Sequence, residues 1–335
     1  MRKYFRRNGW IVLATCVVFL LAQFLVRSFD AFPARGDARE HPAEGTLIVR
    51  MLDVGQGDAI LVQTGTQNIL IDTGDVDERE KLRAGLAQAG VTKIDKIILT
   101  HPHADHIGGM EILLKEYTVG EVYDNGQPSN SPVYRGYMKQ LQAMHVKSRA
   151  LTAGETLDLG GGASFEVLAP SPEMIDRVHR EKNKKSDPNN ECVVGRLVFG
   201  NFTMMFTGDA EKEEEGAILG ASDSMRLRSA VLKVGHHGSK TSSSAAFLKA
   251  VQPETGLISC GVPSEYGHPH KRIREALRDR GMDIYSTPAN GMITITSDGN
   301  TYRVEPEKGN KNDFSIYEER EKNEPQHPPG KGRKK

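Results

Sequence analysis

Residues 99–109 read LTHPHADHIGG, with three histidines and an aspartate in the six positions from His101 to His106, directly behind the apolar run Ile97, Ile98 and Leu99. The apolar run predicts a buried strand, with His101 at its C-terminal end and His106 opening the next helix. Pro102 and Ala104 keep the turn tight, which leaves His101, His103, Asp105 and His106 free to converge. Neutral imidazole and carboxylate form a ligand set for zinc, manganese or iron, and mixtures of this sort often hold two ions. One histidine alone is usually a satisfied structural residue. This density, followed by Gly108 and Gly109, is not explained that way.

Two further strand ends supply candidates. FTMMFTGDA is an apolar strand with Asp209 at its tip, where a carboxylate could bridge two ions or cap the helix predicted over AEKEEEGAIL. AVLKVGHHGSKTSSS presents His236 and His237 at a third tip, and His268 in GHPH follows the strand GLISCG. Ser239, Lys240, Thr241 and Ser242 offer hydroxyls and one cation where a phosphate could dock, although an N-cap explains Ser242 equally well. DVGQGDA lacks the lysine and following helix of a phosphate-binding loop, so its glycines read as a sharp turn.

At 335 residues and 38% hydrophobic content the chain can bury one large core or two ordinary ones. Strand signals come in two batches, each followed by strand–helix alternation, the pattern of two mixed sheets packed together with helices outside. Arg2, Lys3, Arg6 and Arg7 precede an apolar run from Ile11 to Val26, with Trp10 at its entrance. Residues 1–27 therefore read as an uncleaved membrane anchor or a signal peptide, and the positive-inside rule puts the rest outside the membrane, anchored or secreted. Residues 28–45 read as a linker, 46–305 as the catalytic body, and 306–335 as a disordered polar tail. The polar stretch 171–191 carries no strand signal. Formal net charge is zero, which is no electrostatic footprint for tight nucleic-acid binding. Cys192 and Cys260 read as two buried free thiols.

The constellation resembles the metallo-β-lactamase fold hydrolases. The His-x-His-x-Asp-His motif with its Gly-Gly, the upstream LIDTG, FTGD, and the histidine after the next strand match in order. More narrowly, MLDVGQGDAILV, THPHADHIGG, NNECVVGRLVFG, LKVGHHGSKTSSS and YGHPH are similar to the extracytoplasmic hydrolase domain of the ComEC-type competence proteins, over residues 46–305. The resemblance implies an α/β fold, an αββα sandwich of two mixed sheets, holding two divalent transition-metal ions: zinc, or manganese or iron. It puts His101 and His103 on one ion, Asp105 and His106 on the second, Asp209 between them, and His236 on the second. His237 either exchanges roles with His236 or, with Asp105 and His268, serves catalysis. Asp72 orients the histidine-rich loop. The wider superfamily has a histidine where this chain has Asn189 or Asn190, with Asn190 the favoured match, which leaves the first ion short of a ligand.

Two ions sharing a bridging ligand favour phosphodiester hydrolysis by an activated water. The expected substrate is a phosphodiester, with DNA first. Alternatives are phosphorylated cell-wall polymers or their substituents, and a non-catalytic binding module. The competence proteins carry a many-helix channel segment and this chain has at most one apolar span, so DNA transport is not carried over. No protein partner is implied.

Overall fold

The computed structural model describes residues 41–180, 187–262, 264 and 266–323. All of them belong to the unit Glu40–Lys335. The expected anchor and most of the linker lie outside the described residues. Among the described residues no helix is long and apolar enough to cross a membrane.

Two sheets form the centre. Strands Tyr302–Pro306, Ile293–Ser297, Leu47–Met51, Ile60–Gln63, Asn68–Ile71, Lys93–Ile98, Thr118–Asp124 and Lys147–Ala150 line up in that spatial order in the first. The second runs Asp283–Ser286, Thr255–Ile258, Val231–Lys233, Phe202–Phe206, Val194–Phe199, Ala163–Ala169 and Thr156–Gly160. Each combines an antiparallel part with a parallel part, so both sheets are mixed, as expected.

Side-chain alternation explains how they pack. Val49, Val62, Ile69 and Ile295 of the first sheet meet Phe165, Leu197, Met204 and Val231 of the second in a continuous apolar core. The opposite face of the first sheet is covered by helices Arg79–Gln88, Met110–Glu116 and Pro132–Ala143 through Leu82, Leu113 and Tyr137. Helices Lys212–Ala221, Ala245–Val251 and Lys271–Arg278 cover the second sheet through Ile218, Phe247 and Ile273. The result is the four-layered αββα sandwich. Cys192 and Cys260 are free and buried.

Parallel register places the site. Met204 pairs with Val231, and Val231 with Thr255, so three neighbouring strands end side by side. Open α/β sheets place their ligands beyond such carboxyl ends. The Lys93–Ile98 strand of the other sheet ends in the same region, delivering His101.

The expected tail needs correction. Between Pro306 and Asn323 the chain packs onto the body and forms a helix, Ser315–Asn323, with Phe314 and Tyr317 buried, while residues 324–335 of the expected tail lie outside the described residues. Tyr317 Oη donates to Ser286 Oγ at 2.8 Å, and the Arg274 guanidinium lies 5.6 and 5.4 Å from the Phe314 and Tyr317 ring centres. A nine-residue polar helix has little stability of its own and depends on such tertiary contacts, which local composition does not reveal. Tyr317→Ala is expected to destabilise the fold by about 3–5 kcal/mol, as large aromatic truncations do. A denaturant midpoint equal to wild type would make the helix an ornament.

Candidate metal centre

The histidine loop is shaped by its neighbours. Asp72, at a left-handed φ of 57°, accepts from the Thr100 backbone N–H at 2.7 Å and from its hydroxyl at 2.7 Å. The same carboxylate accepts from His106 Nδ1 at 2.8 Å, which turns Nε2 inward. A side chain at Gly57 would collide with the Asp105 carbonyl, so only glycine allows this approach. Across the cleft, His236 and His237 both adopt left-handed backbone, φ 48° and 53°. Strained non-glycine residues of this kind cluster at functional sites.

Asp209 lies between two groups. Its Oδ1 is 3.3 Å from His106 Nε2 and 3.4 Å from His237 Nε2. Its Oδ2 is 3.5 Å from His236 Nε2 and 4.0 Å from His101 Nε2. His237 Nε2 also lies 3.2 Å from Asp105 Oδ2, while its Nδ1 donates to the Ser259 carbonyl at 2.9 Å. Asp105, His106, Asp209 and His237 bring four ligand atoms within 4.8 Å of one another. On the other side His101 Nε2 and His103 Nδ1 approach to 2.9 Å. His106 Nε2 and Asp209 Oδ1 are buried without a hydrogen-bond partner, although they are close. Buried polar atoms are rarely left so, and a bound divalent ion would satisfy both. The residues fit the two-ion centre.

Electrostatics divide the two groups. Burial, then the neighbouring His106 charge, holds His101 well below the ordinary imidazole value, and the same causes lower His103. Both rings are neutral, ready ligands. Burial also opposes charge on His106, but Asp209, Asp72 and Asp105 outweigh it and raise its pKa well above the usual value. His237 is raised likewise, by Asp209 and Asp58 against burial. Burial would raise Asp105 and Asp209, yet the surrounding imidazoles hold both carboxyls well below the ordinary range. Without metal, protons on His106 and His237 stand where a cation belongs.

Several expectations shift. His237, not His236, joins Asp105 and His106, because the left-handed turn swings it into the buried floor. His236 is partly exposed on the side of His101 and hydrogen-bonds through Nδ1 to Glu211 Oε1 at 3.1 Å. Asp209 is no helix cap: Glu211 holds the N-cap position of Lys212–Ala221. Of the two asparagines expected at the place of the missing histidine, Asn189 faces the cavity and Asn190 does not. It lines the cavity with Nδ2 3.5 Å from His236 Nδ1, whereas Asn190 Oδ1 accepts from the Glu214 N–H on the neighbouring helix. Thr241 Oγ1 donates to Glu211 Oε1 at 2.8 Å, so the suggested phosphate dock is already engaged internally. His268 is at the cavity wall, its ring 5.4 Å from His236 and 6.2 Å from His237, with Nδ1 unpartnered. Burial first, then His237 and His236, depress its pKa to about 3.

Sequence reasoning missed Asp58 and Lys233. Lys233 is fully buried and ion-paired to Asp58. Burial opposes its charge, but Asp58, Asp209 and Asp72 keep its pKa raised. The available signal was a lysine inside the apolar strand run AVLKV. Asp58, Asp72 and His106 Nδ1 also cluster. Lys233 holds Asp58 Oδ2, and Thr100 and His106 hydrogen-bond to Asp72, so this group backs the centre instead of forming another.

Residues 52–262 match the Metallo-beta-lactamase superfamily. With this fold and this strand-tip cluster, the chain belongs to that superfamily, whose members are typically metal-dependent hydrolases. Within it, the chain is similar to Competence protein ComA of Neisseria gonorrhoeae, 32% identical over 278 residues, covering 82% of this chain and 34% of that protein. It is 31% identical over 287 residues to ComE operon protein 3 of Bacillus subtilis (strain 168), covering 80% and 34%. A ribonuclease Z of Bradyrhizobium diazoefficiens is 31% identical over 112 residues, covering 31% of this chain and 36% of that enzyme. The chain thus spans about a third of the length of these relatives.

Proposed function

We propose that this chain is a two-metal phosphodiesterase acting on DNA outside the cytoplasmic membrane. The observation that carries this reading is Asp209, a buried carboxylate with one oxygen toward His106 and His237 and the other toward His101 and His236. Two ions sharing one ligand require that arrangement. When bound, the ions supply an activated water at neutral pH and stabilise charge on the attacking and leaving oxygens. The chain does the rest. Asp72 and the Ser259 carbonyl hold the Nδ1 protons of His106 and His237, which keeps each Nε2 aimed inward. A cavity of about 700 Å³ opens over the centre. DNA is supported by the competence relatives, a phosphodiester bond by the ribonuclease relative, and an outward-facing site by the basic and apolar residues 1–27.

One observation favours a second reading. Asp75, Asp77 and Glu78 line one wall of the cavity and the exposed Tyr266 lines another. Carboxylates repel a polyanion, and carboxylates with an aromatic face attract a cationic substituent. A phosphorylated wall polymer with ammonium groups fits that mouth. Full-length chain loaded with zinc or manganese should be assayed on a nitrophenyl phosphodiester, on DNA and on a phosphocholine-bearing polymer. Metal-dependent cleavage of the nitrophenyl ester and of DNA is expected. Two bound ions without cleavage of any diester would leave a binding module.

His268 enters as a neutral imidazole, and so offers a ring N–H rather than a ready proton. His268→Ala is expected to keep both ions and slow hydrolysis by about 10²–10³-fold, the effect of losing one donor aimed at developing charge. The loss should be equal for nitrophenyl and nucleotide leaving groups. A loss confined to the nucleotide substrate would instead make His268 a proton donor to the leaving group.

A further inference from the structure

We infer that Lys233 is a positioning residue for the pocket formed by Asp105, His106, Asp209 and His237, acting through Asp58 on the His237 ring. The inference rests on the reading of that cluster as a metal centre. Lys233 is 1% exposed, at the end of the parallel strand Val231–Lys233. Its Nζ pairs with Asp58 Oδ2 and donates to the Gly208 carbonyl at 3.1 Å, beside Asp209. Asp58 is pinned in turn: its N–H donates to the Asp105 carbonyl at 3.2 Å, and its carbonyl accepts from Gly74 N–H at 2.7 Å. Its Oδ1 has no hydrogen-bond partner and lies 3.5 Å from His237 Nδ1, and its Oδ2 is 3.9 Å from His106 Nδ1.

This geometry places a fixed negative charge behind both ligand rings. A charge there favours the proton on Nδ1 of His237, where Ser259 accepts it, and leaves the lone pair on Nε2 toward Asp105 and Asp209. A carboxylate buried this deeply needs an opposite charge beside it, and Lys233 supplies that charge. A buried ion pair adds little stability over an apolar pair of similar volume. Stability alone therefore does not account for a lysine at this position; its place behind the ligands does.

Zinc titration of the metal-free full-length chain by calorimetry tests this, with the two binding steps assigned by an Asp105→Ala variant. Lys233→Met is expected to weaken the step belonging to the Asp105 pocket by roughly 10–100-fold, as loss of an outer partner does. The other step should change little. Because that variant leaves Asp58 buried and unpaired, it can fail to fold; the double variant Lys233→Met with Asp58→Asn removes both charges and carries the test. It should fold like wild type and keep the selective weakening. Wild-type affinity at both steps in the double variant, or equal weakening of both, overturns the positioning role and leaves a structural ion pair. A wild-type chain that takes up no zinc overturns the metal reading first, and this inference with it.

Discussion

Asp209→Ala is expected to remove both ions from the purified chain and to lower phosphodiester hydrolysis by about 10³-fold or more. One oxygen of this carboxylate faces each imidazole group, so one substitution takes a ligand from both pockets. The ions are asked to supply several kcal/mol of transition-state stabilisation, and about 4 kcal/mol corresponds to roughly 10³ in rate. The outcome differs from that of His103→Ala, which touches only the first group. Elemental analysis decides the point: full occupancy of both ions in the alanine variant would end the bridging role, whatever happened to activity.

Metal affinity of the second pocket is expected to rise steeply with pH while that of the first stays flat. His106 and His237 have raised pKa values in the folded, metal-free chain. Their contribution to folding stability is fully present below the unfolded imidazole value of about 6.5, and is lost as pH rises through the raised folded values. An ion competes with protons for the same Nε2 atoms. Below those raised values an ion entering the second pocket displaces about two protons, so its affinity gains roughly 10²-fold per pH unit. His101 and His103 are lowered, are neutral over that window, and add no proton release at the first pocket. Titrations at several pH values, in buffers of different ionisation enthalpy, read the proton count directly. Equal slopes at both pockets, or no proton release, would contradict the electrostatic division.

How much of this was legible depends on range. HPHADH could be read from sequence because ligand chemistry demands those residue types and the turn keeps them within six positions. Strand alternation and apolar runs likewise declared two mixed sheets, since burial on one or both faces writes itself into local periodicity. Asp209 was visible as a candidate, and its competing role as a helix cap fell only when Glu211 was found at the cap.

What the amino-acid sequence determined by itself was the αββα class, the superfamily, and the loop that carries the candidate ligands His101, His103, Asp105 and His106. Only the tertiary structure decided the rest. Adjacent His236 and His237 are chemically identical in sequence; two left-handed residues send one to the floor and the other to the rim. Asn189 and Asn190 divide in the same way, one facing the cavity and the other a helix end. Asp58 and Lys233 are 175 positions apart, and only the stacking of the two sheets makes them a pair. The helix Ser315–Asn323 is held by Arg274 and Ser286, partners that no local pattern announces. The physical reason is common to all four. Local sequence specifies backbone periodicity and side-chain chemistry, whereas side-chain direction and counter-ion choice are set by whatever the fold packs against them.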